Sequence, residues 1–164
     1  MKSLFILRHA KSSWKDSALQ DFDRPLNARG RRAAEVVGRF IRQQKIALDL
    51  ILSSPAVRAR ETIEIVIKTA KLTTELRYDQ RIYEAGPLRL LEVISQIEED
   101  KSNVLLVGHN PGLEELLQIL TDKAERMNTG TLAKITFETT KWRKTLEKKG
   151  SLEWVVKPKE LEKE

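Results

Sequence analysis

"LFILRHAKSSW" (residues 4–14) is the stretch that decides the fold. Four apolar residues run directly into Arg8 and His9, without the Gly, Asn or Asp that commonly ends a strand. An apolar run of this length with no polar face is typical of a strand covered on both sides in a parallel sheet. Two further runs, "LIL" at residues 50–52 and "VLLV" at residues 104–107, have the same character. The three runs predict the centre of a parallel sheet.

Helical patterns separate these runs. The first begins after Asn27, a suitable N-cap, and the second lies in "SSPAVRARETIEIV", where Ser54 can cap and Pro55 fits the first helical position. "PLRLLEVISQI" and "NPGLEELLQIL" predict two more helices. "TLAKITFE" and "LEWVVKP" favour strands that pair in antiparallel fashion at one sheet edge. We therefore predict an α/β fold, with a mostly parallel, doubly wound sheet flanked by helices on both faces.

Length and composition limit the possible functions. With 164 residues and 40% apolar content, the chain suits one domain over residues 1–164. It contains no cysteine and two histidines, so thiolate chemistry is excluded and a metal site would depend on carboxylates. No stretch approaches the roughly 20 apolar residues that span a bilayer, and "MKSLFIL" turns charged too early for a signal peptide. We expect a cytoplasmic protein that does not contact membranes.

The net charge of +6 comes largely from one segment. Residues 24–45, "RPLNARGRRAAEVVGRFIRQQK", hold seven Lys or Arg and a single acid. Such a segment suits an acidic protein surface, a phosphorylated ligand or nucleic acid, and it is equally typical of a solvated helix face. Few aromatic residues accompany it and no nucleic-acid-binding motif is present, so we expect no nucleic-acid partner.

The ends of the predicted strands carry the candidate functional residues. Ligands of open α/β sheets bind beyond the carboxyl ends of the strands. Arg8 and His9 follow the first run, and His109 and Asn110 follow the third, so both histidines of the chain lie at strand ends. Arg58 falls near the start of a predicted helix, where the helix dipole disfavours a cation. A bound anion would reverse that penalty; a surface pairing with Glu61 is the alternative.

Three ordered motifs, "RHAKSS", "SSPAVRARET" and "VGHNPG", resemble the histidine phosphatase superfamily, and most closely its small SixA-type phosphohistidine phosphatases. The resemblance extends through "PLNARGRRAAE", "IYEAG" and "GTLAKITF", and so covers nearly the whole chain. It implies a phosphoglycerate-mutase-like fold. Two departures stand out: Ala10 replaces the commoner glycine after the histidine, and the long insertion that covers the substrate in larger members is missing. The resemblance therefore implies a minimal domain with an open pocket.

The same resemblance assigns roles to individual residues. His9 is the nucleophile, Arg8 and Arg58 clamp the phosphate, and His109 is the second histidine of the pocket. Ser12 and Asn110 match positions that donate further hydrogen bonds to phosphate. Glu84 is the candidate proton donor, with an ordinary loop carboxylate as the alternative.

These groups suit phosphoryl transfer, which requires in-line positioning and stabilisation of charge on phosphate oxygens. Two arginines and a histidine can supply both without a metal ion or cofactor. We expect hydrolysis of phosphohistidine on a protein such as a histidine phosphotransfer domain, through a phosphohistidine on His9. A phosphomonoesterase for a small phosphorylated metabolite is the alternative enzyme. A non-catalytic basic module that binds phosphoproteins or nucleic acid is the alternative outside enzymes.

Overall fold

A six-stranded sheet forms the centre of the protein, whose computed structural model describes residues 1–162. The strands are β1 (Lys2–Arg8), β2 (Leu50–Ser53), β3 (Glu75–Tyr78), β4 (Asn103–Gly108), β5 (Leu132–Phe137) and β6 (Ser151–Val156). Their spatial order is β3-β2-β4-β1-β5-β6. β1 to β4 are parallel, whereas β5 pairs antiparallel with both β1 and β6. The predicted α/β fold with antiparallel C-terminal edge strands is confirmed.

Helices cover both faces of this sheet. They are α1 (Ala28–Gln43), α2 (Val57–Ala70), α3 (Pro87–Ser95), α4 (Gly112–Thr121) and the short α5 (Pro158–Leu161). Alternate residues of β1 point to opposite faces, as the pleat requires. Leu4 and Ile6 pack in the core that holds α3 and α4, and Phe5 and Leu7 pack in the core that holds α1 and α2. The apolar run of β1 is therefore buried on both sides.

Helix starts follow the sequence in part. Asn27 caps α1 as predicted, because its side-chain oxygen accepts a hydrogen bond from the Gly30 N–H at 2.8 Å. The second helix begins later than predicted: Ala56 is its N-cap, and Pro55 lies before the helix. The Ser54 hydroxyl accepts from the Ala56 N–H at 3.2 Å and is otherwise engaged in the site described below. Local turn formation at the end of β2 thus delays the start of the helix by two residues.

The fold places three strand ends side by side. β4 lies between β1 and β2 and is parallel to both. Arg8, Ser53 and Gly108 therefore lie close together at the carboxyl ends of these strands. The N-terminus of α1 closes against the loop after β1, where the Asn27 N–H donates to the Lys11 carbonyl at 3.0 Å. No helix within residues 1–162 is long and apolar enough to cross a membrane.

Candidate active site

His9 lies directly after β1 and is only 5% exposed. Its Nδ1 lies 2.7 Å from the carbonyl oxygen of Ala10. Because a carbonyl can only accept a hydrogen bond, Nδ1 must carry the proton in the neutral ring. Nε2 is then the unprotonated nitrogen, and it faces the Nε–H of Arg58 at 3.4 Å. The backbone therefore fixes the tautomer in which Nε2 can act as a nucleophile.

The surroundings of His9 keep its imidazole neutral. Burial, assisted by the nearby His109, Arg58 and Arg8, lowers the pKa of His9 to about 3, against the opposing effect of the hydrogen bond to Ala10. A pKa this far below neutrality leaves Nε2 unprotonated at physiological pH, where its lone pair accepts the hydrogen bond from the Nε–H of Arg58. Nucleophilic attack by the ring therefore needs no prior loss of a proton.

Arg58 is the second residue of α2 and is 6% exposed. Its guanidinium contacts His9 on one side and Asp21 on the other: Nη1 donates to the Asp21 carbonyl at 2.7 Å and Nη2 to the Asp21 carboxylate at 3.0 Å. The surface alternative, a pairing with Glu61, is not seen, because Glu61 binds Arg31 and the Leu26 N–H instead. Arg58 thus lies in the site, held there by an acid that sequence reasoning did not single out.

His109 follows β4, and its ring centroid lies 5.0 Å from that of His9. Its Nε2 is 2.8 Å from the Ser54 hydroxyl at the end of β2. Its Nδ1 is buried and has no hydrogen-bond partner among the described residues. Burial lowers the pKa of His109 to about 4, assisted by the positive charge of Arg58. In the tautomer in which the Ser54 hydroxyl donates to Nε2, the neutral ring carries an Nδ1–H that can donate a hydrogen bond to a phosphoryl oxygen.

Arg8 and Asn110 meet at a single backbone carbonyl. Arg8 Nη1 donates to the carbonyl of Met127 at 3.1 Å, and Asn110 Nδ2 donates to the same oxygen at 2.8 Å and to Glu114 at 2.9 Å. Both amide hydrogens of Asn110 are therefore engaged, and its predicted donation to phosphate would require an exchange of partners. The Nε of Arg8 is buried and has no hydrogen-bond partner in the described chain.

Asp21 ties together three parts of the chain that are distant in sequence. Its carboxylate accepts hydrogen bonds from Arg24, Arg58 and the hydroxyl of Tyr83. Partial burial by itself raises the pKa of Asp21, but the hydrogen bonds from Tyr83 and Arg24 and the charge of Arg58 outweigh it and lower the pKa to about 2. The ionised carboxylate therefore holds Arg58 in place across the working pH range.

Ser12 and Glu84 lie at the edge of this arrangement. The Ser12 hydroxyl accepts from Arg24 Nη1 at 2.6 Å, so it binds an arginine in this structure. Glu84 is exposed and has a left-handed backbone with φ of 54°, a conformation uncommon for a residue with a side chain. It follows Tyr83, whose ring packs 5.6 Å from that of His109. Glu84 is thus brought near the site, and its role as a proton donor stays a prediction.

Sequence reasoning missed Asp21, Arg24 and Tyr83. They lie in segments without a helical or strand period, so no pattern placed their side chains. Arg24 and Tyr83 do fall within or beside the stretches "PLNARG" and "IYEAG" that carry part of the resemblance. In the described part of the chain, no three His, Asp or Glu side chains cluster closely enough to hold a metal ion.

Comparisons with known proteins place the chain in a family. The sequence model of the histidine phosphatase superfamily (branch 1) matches residues 4–88. An uncharacterised protein of Mycobacterium tuberculosis is 36% identical over 114 residues, which cover 70% of this chain and 69% of that one. The phosphohistidine phosphatase SixA of Escherichia coli is 24% identical over 139 residues, covering 82% of this chain and 85% of that one.

Solved structures agree with these sequence matches. A protein of Nakamurella multipartitia assigned to the SixA phosphohistidine phosphatases superimposes with a TM-score of 0.84 and 28% identity, covering 96% of each chain. The protein histidine phosphatase SixA in complex with tungstate superimposes with a TM-score of 0.80 and 22% identity, covering 97% of this chain and 99% of that one. At that identity the second match supports the fold.

Proposed function

The chain belongs to branch 1 of the histidine phosphatase superfamily and is a phosphatase, and we propose that it dephosphorylates phosphohistidine on a protein through a phosphohistidine intermediate on His9. The observation that carries the proposal is the tautomer of His9. Its Nδ1–H donates to the Ala10 carbonyl, which leaves the Nε2 lone pair beside the guanidinium of Arg58. The neutral imidazole that would attack phosphorus thus lies next to a guanidinium that can bind the phosphate.

The proposed reaction has two steps. His9 Nε2 attacks phosphorus, the bond to the leaving nitrogen or oxygen breaks, and the leaving group takes up a proton. Water then attacks the phosphorus of the His9 phosphoryl group, which releases inorganic phosphate and regenerates the free ring. Arg58, Arg8 Nε and His109 Nδ1 would donate hydrogen bonds to the phosphoryl oxygens and so stabilise the charge of both transition states.

The substrate that the protein prefers depends on how well the site can protonate the leaving group. The phosphorus–nitrogen bond of phosphohistidine can break without strong acid assistance when the other ring nitrogen is protonated. Glu84 is exposed and makes no salt bridge with any described residue, so nothing holds its carboxyl against a leaving group. Because the Glu84 carboxyl is not held in place, the site favours a substrate such as phosphohistidine, whose bond to phosphorus breaks without strong acid assistance. A small-molecule phosphomonoesterase is the alternative that a strong requirement for Glu84 would support.

A phosphatase assay in EDTA tests the proposal. Wild-type protein should hydrolyse a phosphohistidine peptide faster than a phosphoserine peptide, and chelation should leave the rate unchanged. His9→Ala should lose at least about 10³-fold in kcat, since the covalent step is removed. Protein quenched in alkali during turnover should carry an acid-labile phosphoryl group on residue 9. A phosphoryl group found on another residue, or a preference for phosphoserine, would contradict the proposal.

A further inference from the structure

A cleft of about 410 Å³ is lined by a concentration of positive charge. It lies beside the loop that follows β1 and carries His9 and Lys11, which we call the catalytic loop. We call the cleft itself the basic cleft, and its cationic lining residues are Lys11, Arg29, Arg32, Lys157 and Lys159. Glu162 is the single carboxylate in the lining, and all the cations except Lys157 are exposed. The remaining lining is small and carries no aromatic ring.

The charges of the basic cleft come from three places in the chain. Lys11 lies in the loop after β1, Arg29 and Arg32 lie in the first two turns of α1, and Lys157 and Lys159 lie at the start of α5. Two of the seven cations of residues 24–45 therefore join three that the sequence places elsewhere. The fold, rather than local sequence, assembles this surface.

No carboxylate of residues 1–162 forms a salt bridge with these five cations. By contrast, Arg31 on the same helix pairs with Glu61 at 3.2 Å. Arg29 and Arg32 also stand near the positive end of the α1 dipole, and the first turn of that helix has no acidic residue. This concentration of positive charge, with five cations and one carboxylate in the lining, favours an anionic partner.

The basic cleft adjoins the catalytic loop. Lys11 is two residues from His9, so their Cα atoms are no more than about 7 Å apart. Asn128 and Thr129 line the cleft, and the next residue, Gly130, donates its N–H to the carbonyls of Arg8 and His9 at 3.0 Å. A group in the cleft and a phosphoryl group at His9 can therefore belong to one bound molecule.

We propose that the basic cleft docks acidic side chains of the phosphorylated protein substrate, next to the phosphohistidine. This inference rests on the proposed function, because it names the surface that would recruit that substrate. Exposed, long lysine and arginine side chains suit several carboxylates spread along a surface. A site for one fixed phosphate would hold its arginines in place, as Asp21 and Met127 hold Arg58 and Arg8. The lining also lacks the aromatic ring on which a nucleotide base would stack.

Two phosphohistidine peptides test the docking. One carries Asp and Glu at roughly two to five residues from the phosphohistidine, the span set by the reach of an extended chain; the other carries Asn and Gln there. Wild-type protein should show a kcat/KM about tenfold or more higher for the acidic peptide at low salt, because complementary charge raises association rates. Arg29→Gln/Arg32→Gln should lose that preference.

A matched double variant controls for net charge. Arg39→Gln/Arg42→Gln removes two charges from the same helix, at residues that do not line the basic cleft. It should keep the preference for the acidic peptide. Both variants should hydrolyse a small aryl phosphate like wild type. Equal loss of preference in the two variants, or no preference in wild-type protein, would overturn the proposal.

Direct binding separates this inference from the proposed function. A fluorescein-labelled, unphosphorylated peptide rich in Glu should bind wild-type protein and the Arg39→Gln/Arg42→Gln variant alike, and bind Arg29→Gln/Arg32→Gln about tenfold more weakly. This holds even if no phosphohistidine peptide is turned over, a result that would refute the proposed function alone. Binding of inorganic tripolyphosphate at the cleft without binding of the Glu-rich peptide would overturn the docking proposal in favour of a small-anion site.

Discussion

The Asp21 carboxylate acts on the site through Arg58. It accepts hydrogen bonds from two arginines and a tyrosine, and the Arg58 guanidinium is held by it on the side away from His9. An arginine fixed in this way presents its Nε to His9 without losing side-chain freedom when phosphate binds. Asp21 is therefore a positioning residue, and its loss should affect the rate more than the binding of phosphate.

Asp21→Asn tests this role because it keeps the size of the side chain and removes its charge. We expect kcat for an aryl phosphate to fall about tenfold or more, since a displaced guanidinium no longer matches the transition state. Inhibition by inorganic phosphate should stay as strong or become stronger, because a negative charge near the anion is removed. Asp23→Asn removes an equal charge from the same turn and should leave both quantities unchanged. Weaker inhibition by phosphate in Asp21→Asn would contradict the positioning role.

Substitution of Glu84 distinguishes the two proposed substrate classes, phosphohistidine on a protein and a small phosphomonoester. An alkoxide leaving group cannot depart without a proton, whereas an aryl oxide or a protonated imidazole can. Glu84→Gln should therefore slow an alkyl phosphate by roughly 100-fold or more and slow a phosphohistidine peptide much less. Steady-state rates with both substrates on the purified variant provide the measurement. An equal loss on both substrates would make Glu84 a structural residue and leave the proton donor unassigned.

The catalytic loop is positioned by its close contact with the N-terminus of α1. Gly30 lies in the first turn of α1, and a Cβ at this position would collide with the carbonyl oxygen of Lys11. The absence of a side chain lets the helix approach the loop that carries His9. The same approach allows the Asn27 N–H to reach the Lys11 carbonyl. The position of His9 therefore depends on a contact between its loop and α1.

Gly30→Ala should separate α1 from the loop. We expect a loss of about 2 kcal/mol in the free energy of unfolding, typical of forcing atoms into a packed position, together with a lower kcat from displacement of His9. Gly86→Ser is the matched control, since a Cβ at Gly86 meets nothing within 4 Å and serine is a favourable N-cap for α3. Urea unfolding and aryl phosphate turnover measure the two effects. Wild-type values for Gly30→Ala would contradict the contact.

The apolar pattern predicted the elements that are buried on both faces and could not predict the rest. β1, β2 and β4 stood out as continuous apolar runs, whereas β3, "ELRY", is an edge strand that lies partly exposed and has no such run. The ends of these strands in the sequence predicted that His9, Arg58 and His109 lie near one another, beyond the carboxyl ends of the sheet strands. Asp21 lies in a single turn of helix whose position depends on contacts with α2. Only the folded chain brings such a residue to the site.

Charge is arranged differently on the folded surface than along the chain. The basic segment 24–45 does not form one face: Arg24 enters the active site, Arg29 and Arg32 line the basic cleft, and Arg31 pairs with Glu61. Exposed pairs of the last kind contribute little to stability. The functional part of the basic charge therefore lies on the side of the molecule that holds the catalytic loop.

Two neutral histidines, the buried His9 and the half-buried His109, couple the stability of the protein to pH. An unfolded histidine has a pKa near 6.5, whereas burial lowers the pKa to about 3 for His9 and about 4 for His109. Below pH 6.5 the unfolded chain thus binds protons that the native protein does not. The stability that these neutral rings confer is fully present above pH 6.5, and it is lost as the pH falls toward the native pKa values.

His9→Asn isolates one of these protons while retaining a side-chain N–H that can donate to the Ala10 carbonyl. Between pH 5.5 and 4.5 the free energy of unfolding of wild-type protein should decrease with falling pH more steeply than that of the variant, by about 1.4 kcal/mol per pH unit, which corresponds to one proton. Urea unfolding at several pH values gives both slopes. The carboxylates titrate in both proteins, so the difference between the slopes reports residue 9. Identical slopes would mean that His9 already carries its second proton in the native state at pH 5.5, which would contradict the lowered pKa of this residue.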